Sequence, residues 1–221
     1  MLDMDRTISS GHSGGCLEKK DLNEYLKAIT LTAKLFIEMC VKNGFILTIA
    51  TYSDDTYQIA NPDRIGGTKL VKLVLKEVFS SESGNLDNKI SGGRDIDKVQ
   101  IICLNPALYF GARSSVFKAI KREDYKHLTP DQFKDMRMES IIGETKIEDP
   151  VDLSKNLNNK KWHMSVFMAR NNLKIEETCT IDDSKDIIDN ILSIKGWSVL
   201  VTGIKGLQPS HFYIKNLVSK R

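Results

Sequence analysis

The sequence has no run of about 18 apolar residues, the length that a membrane-spanning helix needs. Its first residues also lack the basic and then apolar pattern of a signal peptide, since Asp3 and Asp5 stand there instead. We therefore expect a soluble protein with no transmembrane segment.

Cysteine is scarce and dispersed, at positions 16, 40, 103 and 179. These four residues form no CxxC pair and no Cys/His spacing of the kind that binds zinc. This pattern predicts reduced thiols and a reducing, cytoplasm-like compartment. Secretion as an effector into a host cell stays open as an alternative, although nothing in the sequence establishes it.

Long runs of charge of one sign are absent as well. The 32 Lys and Arg residues are interspersed among 29 Asp and Glu residues, with a net charge of +3. A nucleic-acid partner is not expected, because a binding surface for DNA or RNA concentrates basic residues. With 41% hydrophobic and 28% charged residues, the chain is typical of a globular protein, and 221 residues predict a single domain over 1–221. The oligomeric state is left open.

What the sequence does contain is an alternation of apolar runs of strand length with segments of helical periodicity. A short first strand is predicted directly before Asp3. Further strands are predicted at 45–52, 98–104, 177–181 and 197–202, and helices at 17–43, 67–80, 160–172 and 184–194. This order predicts an α/β fold with a doubly wound, mainly parallel sheet. Residues 105–159 are harder to assign and predict a helical insertion or lid-like segment.

Acidic and hydroxyl side chains follow the predicted strands at their carboxyl ends, where ligands bind in open α/β sheets. They are Asp3, Asp5, Thr51, Asp182 and Asp183. Carboxylates that converge at one edge repel one another unless a hard cation lies between them. Mg²⁺ suits such oxygen ligands and is commonly bound together with a substrate phosphate. The sequence therefore predicts a magnesium site that handles a phosphate ester.

Four short motifs make a family resemblance specific. Residues 3–8 (DMDRTI) resemble the DxDxT signature of the haloacid dehalogenase (HAD) superfamily, and residues 49–51 (IAT) resemble its second motif. Residues 161–164 (KWHM) and 179–184 (CTIDDS) resemble the third and fourth motifs, and all four occur in the family order. The third motif is most similar to that of the small, capless magnesium-dependent phosphatases of the superfamily, and the insertion would then lie between the second and third motifs.

The resemblance implies a role for each matching residue. Asp3 is expected to be the nucleophile that forms an aspartyl-phosphate, and Asp5 the acid/base that moves the proton. Thr51 and Lys161 are expected to bind the phosphoryl group, with Lys161 also acting in catalysis. Asp3 and Asp5, together with the 182–183 pair, are expected to hold Mg²⁺.

Two assignments stay open from the sequence. Lys160 competes with Lys161 for the lysine position, and Lys161 is preferred on its spacing to His163. In the acidic motif, Asp183 is the metal ligand if the pair is read as DD, whereas Asp182 acts with Asp186 if the pattern is GDxxxD.

The function predicted from these motifs is that of a magnesium-dependent phosphomonoesterase. Because the stretch between Thr7 and Thr51 leaves no room for a cap domain, a phosphoprotein is favoured as substrate, and phosphotyrosine in particular. A sugar or nucleotide phosphatase, with residues 105–159 as its lid, is the enzyme alternative. A binding protein for phosphorylated ligands that lacks turnover is the second alternative. His163 is expected to pack or to support a residue of the site and not to act as a catalyst, and His12 is a candidate substrate contact.

Overall fold

The computed structural model describes residues 1–55, 61–80, 95–105 and 160–212, together with the backbone of 217–218. Within these ranges the fold is a mixed α/β structure with small parallel sheets and several helices. The helices are α1 (Leu22–Lys27), α2 (Leu31–Lys42), α3 (Gly67–Phe79), α4 (Lys161–Asn171) and α5 (Lys185–Ser193). The strands are β1 (Cys16–Glu18), β2 (Leu47–Thr51), β3 (Arg64–Gly66), β4 (Val99–Cys103), β5 (Cys179–Asp182), β6 (Trp197–Leu200) and β7 (Leu217–Val218).

Two parallel strand pairs form the centre of the fold. Strand β2 pairs with β4, and β5 pairs with β6, which β7 joins in the antiparallel direction. Leu2 connects the two pairs through parallel bridges to Ile49 and Ile181. The backbone of Leu2 donates to the carbonyl of Thr48 at 2.8 Å, and the Asp3 amide donates to the carbonyl of Ile181 at 2.9 Å. The N-terminal residues therefore lie between β2 and β5, and Asp3 follows directly on the paired segment.

The hydrophobic side chains form two buried clusters. The first contains side chains of α2 and α3, such as Ile37 and Leu70, packed against Ile49 of β2. The second contains Phe167 of α4 and Ile191 of α5, and it includes the next residue of β2, Ala50. Neighbouring residues of a strand point to opposite faces, which explains why β2 contributes to both clusters. Helices therefore cover both faces of this strand.

The helix predicted over 17–43 is wrong as a single element. The structure has strand β1, a 3-10 turn at Lys19–Asp21 and two separate helices there. The chain leaves the helical path after α1 because the Thr30 amide donates to the carbonyl of Ile8 at 3.1 Å. The hydroxyl of Thr30 then accepts from the Ala33 amide at 3.1 Å and starts α2. Apolar spacing alone did not distinguish one helix from two that pack on the same core.

The helices and strands predicted from residue 45 onwards in the described ranges are confirmed, with shifts of one or two residues at their ends. The short strand predicted before Asp3 is reduced to isolated bridges at Leu2. The strand predicted at 177–181 begins at Cys179, because Ile175–Glu177 forms a 3-10 turn. Strands β1, β3 and β7 were not predicted. Most of the predicted insertion, residues 106–159, lies outside the described residues. Among the described helices, none combines the length and the apolar character that crossing a membrane demands.

Candidate active site

The carboxyl ends of the central strands open into a cavity of about 420 Å³. Asp3 follows the N-terminal segment, Thr51 is the last residue of β2, and Asp182 is the last residue of β5. Other lining residues come from the loops that follow these elements and from the residue before α4: Asp5, Arg6, His12, Ser53, Lys160 and Asp183. The structure therefore brings together the side chains that the sequence placed after separate strands.

Three carboxylates form the acidic centre of this cavity. Asp3, Asp182 and Asp183 each present an oxygen atom, and these atoms all lie within 4.8 Å of one another. Asp182 is buried, with 1% of its surface exposed, and its Oδ1 accepts a hydrogen bond of 2.9 Å from the Ser184 amide. Such a group of oxygen ligands suits a hard divalent cation.

The ammonium group of Lys160 lies against two of these carboxylates. Its Nζ atom donates to Oδ1 of Asp3 and, at 2.8 Å, to Oδ2 of Asp182. The side chain of Lys160 is 2% exposed, so these contacts are shielded from water. One ammonium group opposes three carboxyl groups here, so the site has more acidic groups than Lys160 can neutralise, an excess that a divalent cation would balance.

The pKa values of Asp3, Lys160 and Asp183 are shifted by burial and by the charges of their neighbours. Burial raises the pKa of Asp3 to about 8, against the opposing effect of Lys160 and with a further contribution from the charge of Asp182. Burial lowers the pKa of Lys160, but the charges of Asp182 and Asp3 outweigh it, so the pKa of Lys160 is raised overall. The pKa of Asp183 is raised by burial and by Asp182. A bound cation would counter these upward shifts of the carboxyl groups.

The structure corrects the choice between the two lysines. Lys160, not Lys161, contacts Asp3 and Asp182, and Lys161 is not among the residues that line the cavity. The reason is the backbone at Lys160, which has a left-handed conformation with φ of 51° immediately before α4 begins. Its amide donates to the hydroxyl of Tyr52 at 2.9 Å. This turn directs the side chain of Lys160 towards the strand ends.

Asp5 lines the same cavity but is not one of the three carboxylates that lie within 4.8 Å of one another, so this geometry gives its predicted role as a metal ligand no support. Its Oδ1 accepts from the hydroxyl of Tyr25 at 2.5 Å, and its Oδ2 accepts from the hydroxyl of Ser13 at 2.7 Å. Nδ1 of His12 lies 3.2 Å from the same Oδ2. Burial and the charge of Asp5 raise the pKa of Tyr25, so its hydroxyl remains a donor at neutral pH.

Thr51 and Ser53 form the hydroxyl side of the cavity. Thr51 is 4% exposed, and its Oγ1 accepts from the Ser53 amide at 3.1 Å. The hydroxyl of Ser53 donates to the carbonyl of Gly15 at 2.5 Å and accepts from the Gly67 amide at 2.7 Å. Ser53 thus joins the end of β2 to the loop before β1 and to the start of α3, which holds Thr51 in place.

The acidic motif is resolved in favour of a neighbouring pair. Asp182 and Asp183 both belong to the three-carboxylate group, whereas Asp186 is exposed on the first turn of α5 and is not a member of it. Because Asp186 lies four residues after Asp182, it is already part of helix α5 and does not belong to the strand end. The GDxxxD interpretation is therefore not supported by the geometry.

The two histidines have different environments. His163 is fully buried, its Nε2 lies 3.0 Å from the carbonyl oxygen of Leu104, and its ring makes edge contacts with Tyr52 and Trp162. It is a packing residue, as predicted. His12 lines the cavity with 58% of its side chain exposed.

The two hydroxyl side chains that donate to Asp5, Ser13 and Tyr25, were not predicted from the sequence. Ser13 belongs to a polar loop in which no single serine stands out, and Tyr25 looks like an ordinary apolar position of a helix.

Comparison with protein-family models, with curated proteins and with solved structures finds no match for this chain. The candidate site is therefore argued from its own geometry.

Proposed function

We propose that this chain is a magnesium-dependent phosphomonoesterase of the HAD type that acts through an aspartyl-phosphate on Asp3. The single observation that carries the proposal is the position of Asp3. Its carboxylate follows Leu2, which bridges the central strands β2 and β5, and it lies with Asp182, Asp183 and Lys160 in a cavity of about 420 Å³. A doubly wound, mainly parallel core of this family is part of the proposal, supported by the bridges of Leu2 to β2 and β5.

The donor set supports a divalent cation as cofactor. Asp3, Asp182 and Asp183 would hold it, because their oxygen atoms lie within 4.8 Å of one another and carry more negative charge than Lys160 neutralises. When bound, Mg²⁺ would supply charge stabilisation to the phosphoryl oxygens. Lys160 and the hydroxyl of Thr51 would add hydrogen bonds to those oxygens from the protein side.

The chemistry proceeds in two displacements at phosphorus. In the first, an oxygen atom of Asp3 forms a bond to phosphorus while the bond to the leaving oxygen breaks, and Asp5 gives that oxygen a proton. In the second, a water oxygen attacks phosphorus and passes a proton to Asp5. The bond between phosphorus and Asp3 then breaks, and its electron pair returns to the carboxylate. The protein ends each cycle in its starting state.

A phosphorylated protein side chain is the proposed substrate, with phosphotyrosine favoured. Between residue 8 and the start of β2 at Leu47, the chain forms loops, the short strand β1, one 3-10 turn and helices α1 and α2. No cap domain is inserted in that stretch, which supports access for a bulky substrate. The resemblance to capless phosphatases points the same way.

The experiment is hydrolysis of p-nitrophenyl phosphate by the purified chain, with Mg²⁺ and with excess EDTA. We expect turnover with Mg²⁺, none with EDTA, and none in the Asp3→Asn variant. An active Asp3→Asn variant would contradict the nucleophile, and a wild type inactive with all divalent metals would contradict the function. A panel of phosphotyrosine peptides, phosphoserine peptides, sugar phosphates and nucleotides then tests the substrate class, where a strong preference for a metabolite would overturn the phosphoprotein assignment.

A further inference from the structure

Asp5 is held by two hydroxyl groups that neither the motifs nor the helical pattern indicated. The hydroxyls of Tyr25 and Ser13 donate to different oxygen atoms of its carboxylate, at 2.5 and 2.7 Å. We propose that Tyr25 and Ser13 are positioning residues that aim the carboxyl group of Asp5 at the leaving oxygen of the substrate. This inference rests on the proposed function, and it adds two side chains to the machinery for proton transfer.

The ring of Tyr25 is anchored independently of its hydroxyl. Tyr25 is 4% exposed, and its backbone carbonyl accepts from the hydroxyl of Ser9 at 3.2 Å. Gly11 makes room for the ring, since a Cβ atom at that position would lie 3.0 Å from Cδ2 of Tyr25. The hydroxyl can therefore be removed without displacing the ring. The distance of 2.5 Å to Oδ1 places the hydroxyl of Tyr25 in direct contact with the carboxyl group of Asp5.

Ser13 is constrained in the same way from the loop side. It is 6% exposed, and its Oγ accepts from the Gly15 amide at 3.2 Å while donating its one proton to Oδ2 of Asp5. A hydroxyl has a single proton, so Ser13 cannot donate elsewhere at the same time. Nδ1 of His12, 3.2 Å from the same oxygen, belongs to a side chain that is 58% exposed. Tyr25 and Ser13 are the buried contacts that define the carboxylate plane.

The surroundings of Asp5 differ from those of the other three carboxylates. Its oxygens are bound by hydroxyls, whereas the oxygens of Asp3, Asp182 and Asp183 face one another. Each carboxylate oxygen has two lone-pair sites, so Oδ1 of Asp5 can accept the transferred proton beside the hydrogen bond from Tyr25, whereas Oδ2 has both Ser13 and His12 beside it. Two fixed hydrogen bonds determine where Oδ1 points. Proton transfer is sensitive to such geometry. Loss of either hydrogen bond to Asp5 should therefore lower the rate most for a leaving group that needs protonation.

The test compares two phosphate esters with wild type, Tyr25→Phe, Ser13→Ala and Asp5→Asn. p-Nitrophenolate leaves readily without a proton, whereas the more basic leaving group of phenyl phosphate requires one. We expect Tyr25→Phe and Ser13→Ala to lower kcat/KM for phenyl phosphate about tenfold, a part of the roughly 10²–10⁴-fold that general acid catalysis contributes. For p-nitrophenyl phosphate the loss should be small. Asp5→Asn should show the same selectivity with larger losses.

Two controls separate positioning from folding. Ser10 lies in the same loop, but its hydroxyl donates to the carbonyl of Ala28 at 3.2 Å, so Ser10→Ala should not change the ratio of the two kcat/KM values. Ser13→Thr keeps the hydroxyl and should restore that ratio. Tyr25 lies in helix α1 and Ser13 in the loop before β1. If one of the two variants fails to fold, the other still tests the inference.

The outcomes distinguish this inference from the function on which it rests. Equal losses on both esters in Tyr25→Phe and Ser13→Ala, or a ratio that Ser10→Ala changes as much, would overturn the positioning role. In that case an active wild type would leave the phosphatase proposal standing. A wild type that hydrolyses neither ester would contradict the proposed function, and the positioning role would fall with it.

Discussion

The ammonium group of Lys160 donates a hydrogen bond of 2.8 Å to Oδ2 of Asp182, across 22 positions of the chain. Both side chains are almost completely buried, at 2% and 1% exposure. The same nitrogen atom also contacts Asp3, so one lysine joins the start of the chain to the end of β5. A buried charge pair of this kind is costly to break, because removing one partner leaves the other without compensation.

Replacing Lys160 should therefore affect both activity and stability. Lys160→Met keeps the length of the side chain and removes its charge. We expect kcat/KM for p-nitrophenyl phosphate to fall about 10²–10³-fold, the loss typical of removing one donor to a reacting oxyanion. Without Mg²⁺, the free energy of unfolding should fall by about 3–5 kcal/mol, measured by urea denaturation.

Lys161→Met is the matched control, since Lys161 is adjacent in the chain and does not line the cavity. Its kcat/KM should stay close to that of the wild type. The assignment of Lys160 would be wrong if Lys161→Met were the more damaging of the two substitutions.

The acidic centre should bind a divalent cation through Asp183 and not through Asp186. A ligand at 100 times its Kd stabilises a protein by about 2.7 kcal/mol, so Mg²⁺ should raise the Tm of the wild type measurably. Asp183→Asn should raise the Kd for Mg²⁺ by at least about tenfold, which corresponds to about 1.4 kcal/mol. Asp186→Asn, in an exposed position three residues later, should leave the Kd unchanged. Equal effects of the two substitutions in a thermal-shift titration would argue for nonspecific screening.

His163 predicts a loss of stability in acid. Burial and the charge of Lys160 lower the pKa of His163 to about 3, while in the unfolded chain it stays near 6.5. Below pH 6.5 the unfolded state binds a proton that the folded state does not. The free energy of unfolding should then fall by about 1.4 kcal/mol per pH unit between pH 6 and pH 4 from this group.

His163→Gln retains a donor for the carbonyl of Leu104 and removes the titration. The free energy of unfolding of both proteins should be measured by denaturation at pH 4, 5, 6 and 7. As the pH falls, the wild type should lose more stability than the variant. A difference that is constant over this range would contradict the buried neutral state of His163.

Two glycines with positive φ predict different costs of an added methyl group. Gly67, at the start of α3, has a φ of +56°, and a Cβ atom there would lie 2.7 Å from Cα of Asp55. Gly44, after α2, has a φ of +72° with nothing within 4 Å of such an atom. Gly44→Ala should cost only the left-handed strain of about 1–2 kcal/mol. Gly67→Ala should cost about 1–3 kcal/mol more because Asp55 must move. Similar Tm values for the two variants would contradict this contact.

The elements that sequence patterns predicted best have a distinctive distribution of apolar residues. Strand β2 and helix α3 were located to within two residues, because a continuous apolar, β-branched run is typical of a buried strand and apolar residues at helical spacing are typical of an amphipathic helix. The prediction was wrong for residues 17–43, where the break between α1 and α2 depends on hydrogen bonds to residues 8 and 10. Those partners are distant in the chain, and no local pattern records them. Strand β3 was missed for a similar reason, since its three residues are ordered by pairing with β1.

The sequence by itself determined which carboxylates end the strands, since Asp3 and the pair at 182–183 each follow a short apolar segment and parallel strands end at a common edge. Tertiary structure alone decided which of two adjacent lysines reaches them, because a left-handed backbone at position 160 turns one side chain inward. It also decided that the hydroxyls of residues 13 and 25 meet Asp5. Contacts of this kind are set by how a loop and a helix pack together in space, and their spacing along the chain carries no periodic signal.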